Sequence, residues 1–502
     1  MELLYEINKR IGGDTSLSFS KTFVGSTYPT PKKLVVRRNN ALKGKKKIVI
    51  GEEITLGKAL KNGNTATRSS CLIMGLGNFL QSQVIKGLLF LLMEVSFILF
   101  MVGRGTRCLR DLITLGTKVT GKEFDEAKQI YIYIQGDNSM LCLLYGIVTI
   151  FVILFFVFAW VSSIKSAYSC QLKLEKGKKP NTMHQDIQSL FDGNIHKFLL
   201  FMPIVCIFAF TILPLVFMIC MAFTNYDRDH QAPGQLFDWT GLANFKEIFD
   251  TGSGLGYAFW HILGWTLIWA VLATILNYIL GMILAIIINR KDTKCKKFWR
   301  SIFMLSIAIP QFVSLLVMRS MLQPDGAVNV FLRNIHVLAD GASLPFWTNA
   351  TWARVTVIVV NLWIGIPFTM MQTTGILQNI PLELYESAKV DGANAVVTFV
   401  KITLPYMLFV TTPYLITSFI GNINNFNVIY LLTAGKPATF AYNNGTAGKT
   451  DLLVTWLYNL TINFKDYNYG AVIGILVFIL SAVFALVSYR NTGSYKKEEE
   501  FQ

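Results

Sequence analysis

Eight stretches of this chain are almost wholly apolar and each is about twenty residues or longer. They lie at about 84–102, 140–161, 198–223, 260–288, 301–322, 353–377, 405–432 and 469–489. A helix rises 1.5 Å per residue, so about twenty residues cover the ~30 Å hydrocarbon core of a bilayer. Inside hydrocarbon every backbone N–H and C=O must be bonded within the protein, and for segments this long the helix is the form that does so. The pattern therefore predicts an all-α polytopic membrane protein with about eight transmembrane helices. Of the 502 residues, 53% are hydrophobic, above the usual soluble range of about 45–50%, and the excess sits in these runs.

The formal charge of +16 does not point to nucleic acid, because the basic residues fall in the short connections between apolar runs, where they orient a membrane protein. Residues 1–70 hold fourteen Lys and Arg. They are expected to form a flexible cytoplasmic segment that lies near anionic lipid. With that end inside, connections 162–197 and 289–300 are also inside. They carry Lys165, Lys173, Lys176, Lys178, Lys179 and Lys197, then Arg290, Lys291, Lys294, Lys296, Lys297 and Arg300. Connections 224–259 and 323–352 are outside, with only Arg228, Lys246 and Arg333. The last residues, 490–502, form a cytoplasmic tail. Alternation also puts 103–139 outside, although it carries six basic residues, and Lys86 and Glu94 lie within the first run. The seven Cys form no CxxC pair and the five His are dispersed, so neither a metal site nor a catalytic set is expected.

Between the sixth and seventh runs, Asn379 to Pro405 is polar enough to leave the membrane and reads as two short helices joined by a turn. Pro381 suits a first helical position, with Glu383 and Glu386 near the positive helix start. Asp391-Gly392 is a turn signal. Apolar residues then recur at helical spacing to Thr403, and Pro405 opens the next run.

The seventh run carries Ser418, Asn422, Asn424, Asn425 and Asn427 in its second half. Amides in hydrocarbon are costly unless paired. Ser418, Asn422 and Asn425 are spaced by four and three, which places them on one helical face. Such a face either bonds neighbouring helices or holds a neutral, hydroxyl-rich ligand. For the latter, Tyr414, Phe419, Phe426, Trp363 and Phe368 would supply aromatic surfaces. The third to eighth runs contain no Asp or Glu, which disfavours a proton-coupled carrier working alone. Gly445-Thr-Ala-Gly448-Lys449-Thr450 mimics the end of a phosphate loop, but Asn443 stands where the pattern requires Gly. Energy from ATP would have to come from another subunit.

Glu386-Ser387-Ala388, Asp391-Gly392, Ile402 and Leu404-Pro405 together resemble the cytoplasmic coupling motif of ABC importer permeases, with Ser387 in place of the first Ala of Glu-Ala-Ala. The stretches Pro214–Tyr226, Asn361–Pro367, Ser418–Asn425 and Thr450–Val454 extend the resemblance over about 198–489. They are similar to the larger permease subunit of maltose/maltodextrin importers. The resemblance implies a type I importer permease core at 198–489 preceded by two helices and their connections at 71–197. It also implies coupling to two ATP-binding subunits through Glu386, Ser387, Ala388, Asp391, Gly392, Ile402, Leu404 and Pro405. The sugar contacts it implies are Ile364, Gly365, Phe368, Ser418, Gly421, Asn422 and Asn425. Further implied partners are a second homologous permease and an extracellular sugar-binding lipoprotein, with the chain itself neither an enzyme nor a holder of a cofactor. Phe368 departs from the enteric maltose permease, which has Tyr there. The short connection 224–259 departs from members that carry a large external domain at this point and resembles Gram-positive relatives. The expected function is maltose/maltodextrin import across the cytoplasmic membrane. The alternatives are raffinose-type or multiple-sugar import by the same architecture, and a stand-alone secondary sugar carrier.

Overall fold

The computed structural model describes residues 54–490 apart from 127, 193 and 291. The expectations for 1–53 and 491–502 lie outside the described residues. Three short helices, α1 (Leu56–Asn62), α2 (Thr65–Ser69) and one at Leu76–Leu80, precede the spans. Then come α3 (Val84–Thr114), an antiparallel hairpin of β1 (Gly121–Asp125) and β2 (Ile130–Ile134), α4 (Ser139–Glu175) and α5 (Ile195–Met221). Next are α6 (Gly254–Asn289), α7 (Lys296–Ala308), α8 (Gln311–Met321) and α9 (Ala350–Leu377). The chain continues through α10 (Leu382–Val390), α11 (Ala395–Ile423), α12 (Phe426–Leu432), α13 (Leu453–Asn459) and α14 (Tyr467–Arg490).

Among the described residues, seven continuous helices are long and apolar enough to cross a membrane, and a bent pair makes up to eight. Their starts follow from local polar chemistry. Asn138, Ser253 and Asn349 each accept hydrogen bonds from the first free N–H groups of α4, α6 and α9, satisfying donors that no preceding turn can. The fifth run is not one helix. It breaks between α7 and α8 with a bend of 87° at Ile309-Pro310, because Pro310 donates no N–H and forces the residue before it into an extended conformation. Elsewhere Pro is absorbed. In α5 and α11 a single π-turn, Phe208–Ile212 and Phe399–Thr403, ends two residues before Pro214 and Pro405. Widening the turn there accommodates the missing donor without breaking the helix.

Several boundaries differ from the sequence expectation. α3 runs on to Thr114 through Arg104, Arg107 and Arg110, so the first part of the supposed 103–139 loop is helix. α4 has 37 residues, ~55 Å at 1.5 Å per residue, and projects well beyond a bilayer core. Residues 54–69 are not part of a flexible segment: Thr55 and Asn64 cap α1 and α2, and Gln171 of α4 accepts bonds from the Asn64 N–H (2.9 Å) and the Thr67 hydroxyl (2.8 Å). The charges in the first run are also satisfied. Lys86 pairs with Asp186 at 3.1 Å, and Glu94 accepts the Met74 N–H at 2.8 Å.

The packing sorts the connections into two ends. Trp239 Nε1 donates to Leu112 O at 3.0 Å, Thr120 Oγ1 to Pro233 O at 3.0 Å, and the Phe237 N–H to Ser139 Oγ at 3.3 Å. Residues 103–139 therefore share an end with 224–253, as alternation requires and loop charge does not. Over that end a core gathers Leu143, Tyr226, Phe237, Ile248, Trp456 and Val472. At the opposite end a smaller core of Tyr278, Met282, Ile380 and Met407 lies behind α10 and the start of α11.

Candidate functional site

The polar face of the seventh run is real but is not one uninterrupted helical stripe. Ser418, Gly421 and Asn422 lie on α11, which ends at Ile423. Asn425 is outside it and caps α12, accepting the Val428 N–H at 3.3 Å. The cause is the Asn-rich sequence itself: short amides compete for backbone groups and favour helix ends over helix interiors, and the Asn424 amide bonds back to Ile420 O at 3.1 Å. Asn425 nevertheless stays with the group, because its Nδ2 reaches Asn422 Oδ1 at 3.4 Å.

The helix that organises this group is α6, which supplied none of the residues singled out in the sequence. Asn422 Nδ2 donates to Thr274 Oγ1 at 2.9 Å, and Trp269 Nε1 donates to Asn422 O at 3.2 Å, a carbonyl near the end of α11. On its other side α6 meets α9. A Cβ at Gly365 would lie within 2.6 Å of the Asn277 side-chain amide, so any larger residue here requires that amide to shift. Asn277 Nδ2 bonds to Ala273 O at 2.7 Å, while its Oδ1 is buried without a partner. One turn from Gly365, Asn361 Nδ2 is also buried and unpaired. A recoverable signal existed, since Thr274 and Asn277 lie three apart near the middle of a largely apolar run.

The α9 set and the α11 set thus meet through Thr274 and Asn277. Ile364 packs against the buried cluster that contains Trp265 and Trp269, Phe368 and Trp363 leave their rings about half exposed, and a Cβ at Gly421 would meet nothing within 4 Å. Phe419 and Phe426 are instead engaged with other aromatics, Phe484 at 4.0 Å and Tyr430 at 4.7 Å between centroids. The arrangement offers amide and hydroxyl groups where α6 meets α11, and half-exposed aromatic rings on α9. None of the spans that build it carries a carboxylate.

The Asn379–Pro405 segment has a defined turn. Pro381 sits at the cap position of α10 rather than its first turn, and α10 ends at Val390. The Ala393 N–H bonds to Ala388 O at 2.9 Å and the Gly392 N–H to Lys389 O at 3.1 Å, with Gly392 at φ +71°. This is a Schellman closure, which needs a left-handed residue at the Gly392 position. Asn394 then caps the next helix by accepting the Val397 N–H at 2.9 Å. That helix is α11 itself, so the second short helix of the segment is the first part of the span. Tyr385 and Thr403 share a 3.1 Å hydrogen bond that ties α10 to α11. Ala388 is buried, Ile402 and Leu404 are half-buried, and Glu386, Ser387, Asp391, Gly392 and Pro405 are exposed. Beside them, Asn289 at the end of α6 and Arg290 just after it face Tyr385, Lys389 and Phe399 across a cleft of about 450 Å³.

The Gly445–Thr450 stretch is no phosphate loop. The Gly448 N–H is taken by the Asp451 carboxylate at 2.7 Å, and Lys449 lies over the Tyr442 ring at 4.1 Å. Asp451 also accepts the Thr455 hydroxyl at 2.7 Å, yet burial pushes its pKa up to about 6.

A bundle of kinked and interrupted spans around a neutral polar site, with an exposed helix–turn at one end, has the form of a multi-span transport protein. Residues 277–493 match the model of the binding-protein-dependent transport system inner membrane component. The chain is 33% identical to the galactooligosaccharides transport system permease protein GanP of Bacillus subtilis over 85% of its length and 97% of that protein's. It is equally 33% identical to the maltodextrin transport system permease protein MalC of Streptococcus pneumoniae, over 85% and 96%. Its fold matches a bacterial ABC transporter involved in alginate import with a TM-score of 0.50 at 23% identity, over 60% of this chain and 96% of that one. The chain belongs to the binding-protein-dependent transport system inner membrane component family and is a permease component of that class.

Proposed function

We propose that this chain is a permease subunit of an ATP-driven importer that carries maltose or maltodextrins across the cytoplasmic membrane. The cluster of Asn422, Asn425, Ser418 and Thr274 is the observation that carries the reading. It is neutral and rich in donors and acceptors, as a sugar requires, and on α9 the rings of Phe368 and Trp363 are about half exposed. The similarity to a maltodextrin permease over most of both chains supports it.

In this reading the end bearing α10 is cytoplasmic, as are both termini. Two separate ATP-binding subunits dock against Glu386 and the Gly392 turn, a second permease completes the pathway, and an external binding protein delivers the sugar. ATP is bound by those partners and not by this chain. Closure of the ATPases moves α10 and α11 together and exposes the Asn422 group outward; hydrolysis returns it inward. A second reading is import of another neutral oligosaccharide, favoured by the equal similarity to a galactooligosaccharide permease and by Phe368, which stacks but cannot hydrogen-bond.

The test is uptake by proteoliposomes containing the assembled system, with labelled maltotriose and labelled galactotriose in parallel. Maltotriose uptake that depends on ATP and the binding protein supports the first reading. Uptake of galactotriose alone supports the second. Uptake by this chain without ATPase subunits contradicts both.

A further inference from the structure

We propose that the hairpin-bearing end of this chain holds an anionic phospholipid in a cleft between α6, α9 and the loop before α13. The cleft is about 510 Å³ and is lined by Trp260, Gly264, Trp265, Arg354, Tyr442 and Lys449. Two cations converge there. The Arg354 guanidinium lies over the Trp265 ring at 4.6 Å and Lys449 Nζ over the Tyr442 ring at 4.1 Å. Their positions are fixed from below, since Arg354 Nε donates to Lys449 O at 2.9 Å and Trp265 Nε1 to Thr450 O at 3.1 Å. Neither cation forms an ion pair among the described residues. Both Nη groups of Arg354 and the Lys449 ammonium are therefore left for an occupant, and two clustered positive charges of this kind call for an anion.

The level of the cleft says which anion. α6 has 36 residues, ~54 Å at 1.5 Å per residue, whereas the hydrocarbon core takes about twenty residues. Centring the core on α6 puts residues 260–265 at its edge, the depth of lipid headgroups, where Trp, Tyr and Arg anchor membrane proteins. From the cleft toward the middle of the helix, α6 presents an exposed aliphatic stripe of Ile268, Val271 and Ile275. A free anion has no use for that stripe. A phosphodiester headgroup on the two cations, with an acyl chain along Ile268–Ile275, uses both. Gly264 lies between the two and leaves room, as a Cβ there would meet nothing within 4 Å.

The test is native mass spectrometry of the full chain in detergent, with phosphatidylglycerol and phosphatidylcholine added in equal amounts. Phosphatidylglycerol should be retained in preference. Lys449→Gln should weaken that retention about fivefold, the worth of one cation at an anionic surface. Gly264→Trp keeps both cations, places a bulky ring in the cleft, and should abolish the preference. Equal retention of the two lipids by the unmodified chain, or an unchanged preference in both variants, overturns the proposal. So does displacement of the lipid by millimolar inorganic phosphate, which would make this a site for a free anion.

Discussion

The side-chain amide of Asn422 donates to the hydroxyl of Thr274 across 2.9 Å, and this bond joins the end of α11 to the middle of α6. It fixes the orientation of an amide that would otherwise rotate freely, leaving Asn422 Oδ1 to face Asn425. Thr274→Val keeps the volume and removes only the hydroxyl. A net hydrogen bond is worth about 1 kcal/mol, so the KM for sugar uptake should rise about fivefold with kcat nearly unchanged. Uptake kinetics in proteoliposomes give both numbers, and an unchanged KM would remove Asn422 from the proposed contacts.

Gly392 closes the Schellman turn at φ +71°, with nothing within 4 Å of where a Cβ would stand. The constraint is thus the backbone conformation and not space. Gly392→Val should abolish sugar-stimulated ATPase in the assembled system while membrane insertion stays normal. Gly392→Asn should retain a large part of it, because Asn tolerates the left-handed region. Equal activity of the two variants would show that the turn does not need its conformation for coupling.

Gly365 and Asn277 make a testable pair. Adding one methyl in Gly365→Ala drives a Cβ into the Asn277 amide, and overpacking of this kind costs about 1–3 kcal/mol. Asn277→Ala should restore part of the lost thermal stability in the double variant, which a double-mutant cycle measures. Purely additive losses would mean the two residues do not press on each other.

Asp451 gives the loop before α13 a pH dependence. Its folded pKa is raised to about 6 from an ordinary value of 3.8, so between those values the folded protein binds more protons than the unfolded chain. Stability should therefore fall as pH rises from about 4 through about 6 and level off above, by roughly 3 kcal/mol in total. The midpoint of thermal unfolding in detergent, followed from pH 4 to about 8, reads this slope. Asp451→Asn should flatten it.

Much of the architecture was legible because hydrocarbon leaves the backbone few options: every apolar run became helix. The Asp391-Gly392 turn was legible for the same local reason, since a Schellman closure is written in one residue. What escaped depended on distant partners or on competition between local ones. The helices at 54–69 are held by Gln171, more than a hundred positions away in sequence. Asn425 fits a helical spacing from Ser418, but the intervening Asn424 helps end the helix. Thr274 and Asn277 are quiet on their own, and only the placement of α6 between α9 and α11 makes them central. The six basic residues of 103–139 misdirect because three of them extend α3 rather than lie in a loop.

The unbroken run of α11 from Ala395 to Ile423 sets where this protein can be cut and rejoined. Its 29 residues, ~43 Å at 1.5 Å per residue, leave no seam at the membrane surface. A chimaera joined at Pro405 would splice through consecutive helical hydrogen bonds and disturb the π-turn. The helix gives way to a turn at the four-residue link 391–394 between α10 and α11. Exchange of ATPase specificity between relatives is therefore expected to succeed with grafts that take α10 and end in this link, and to fail with grafts that also replace the first turns of α11.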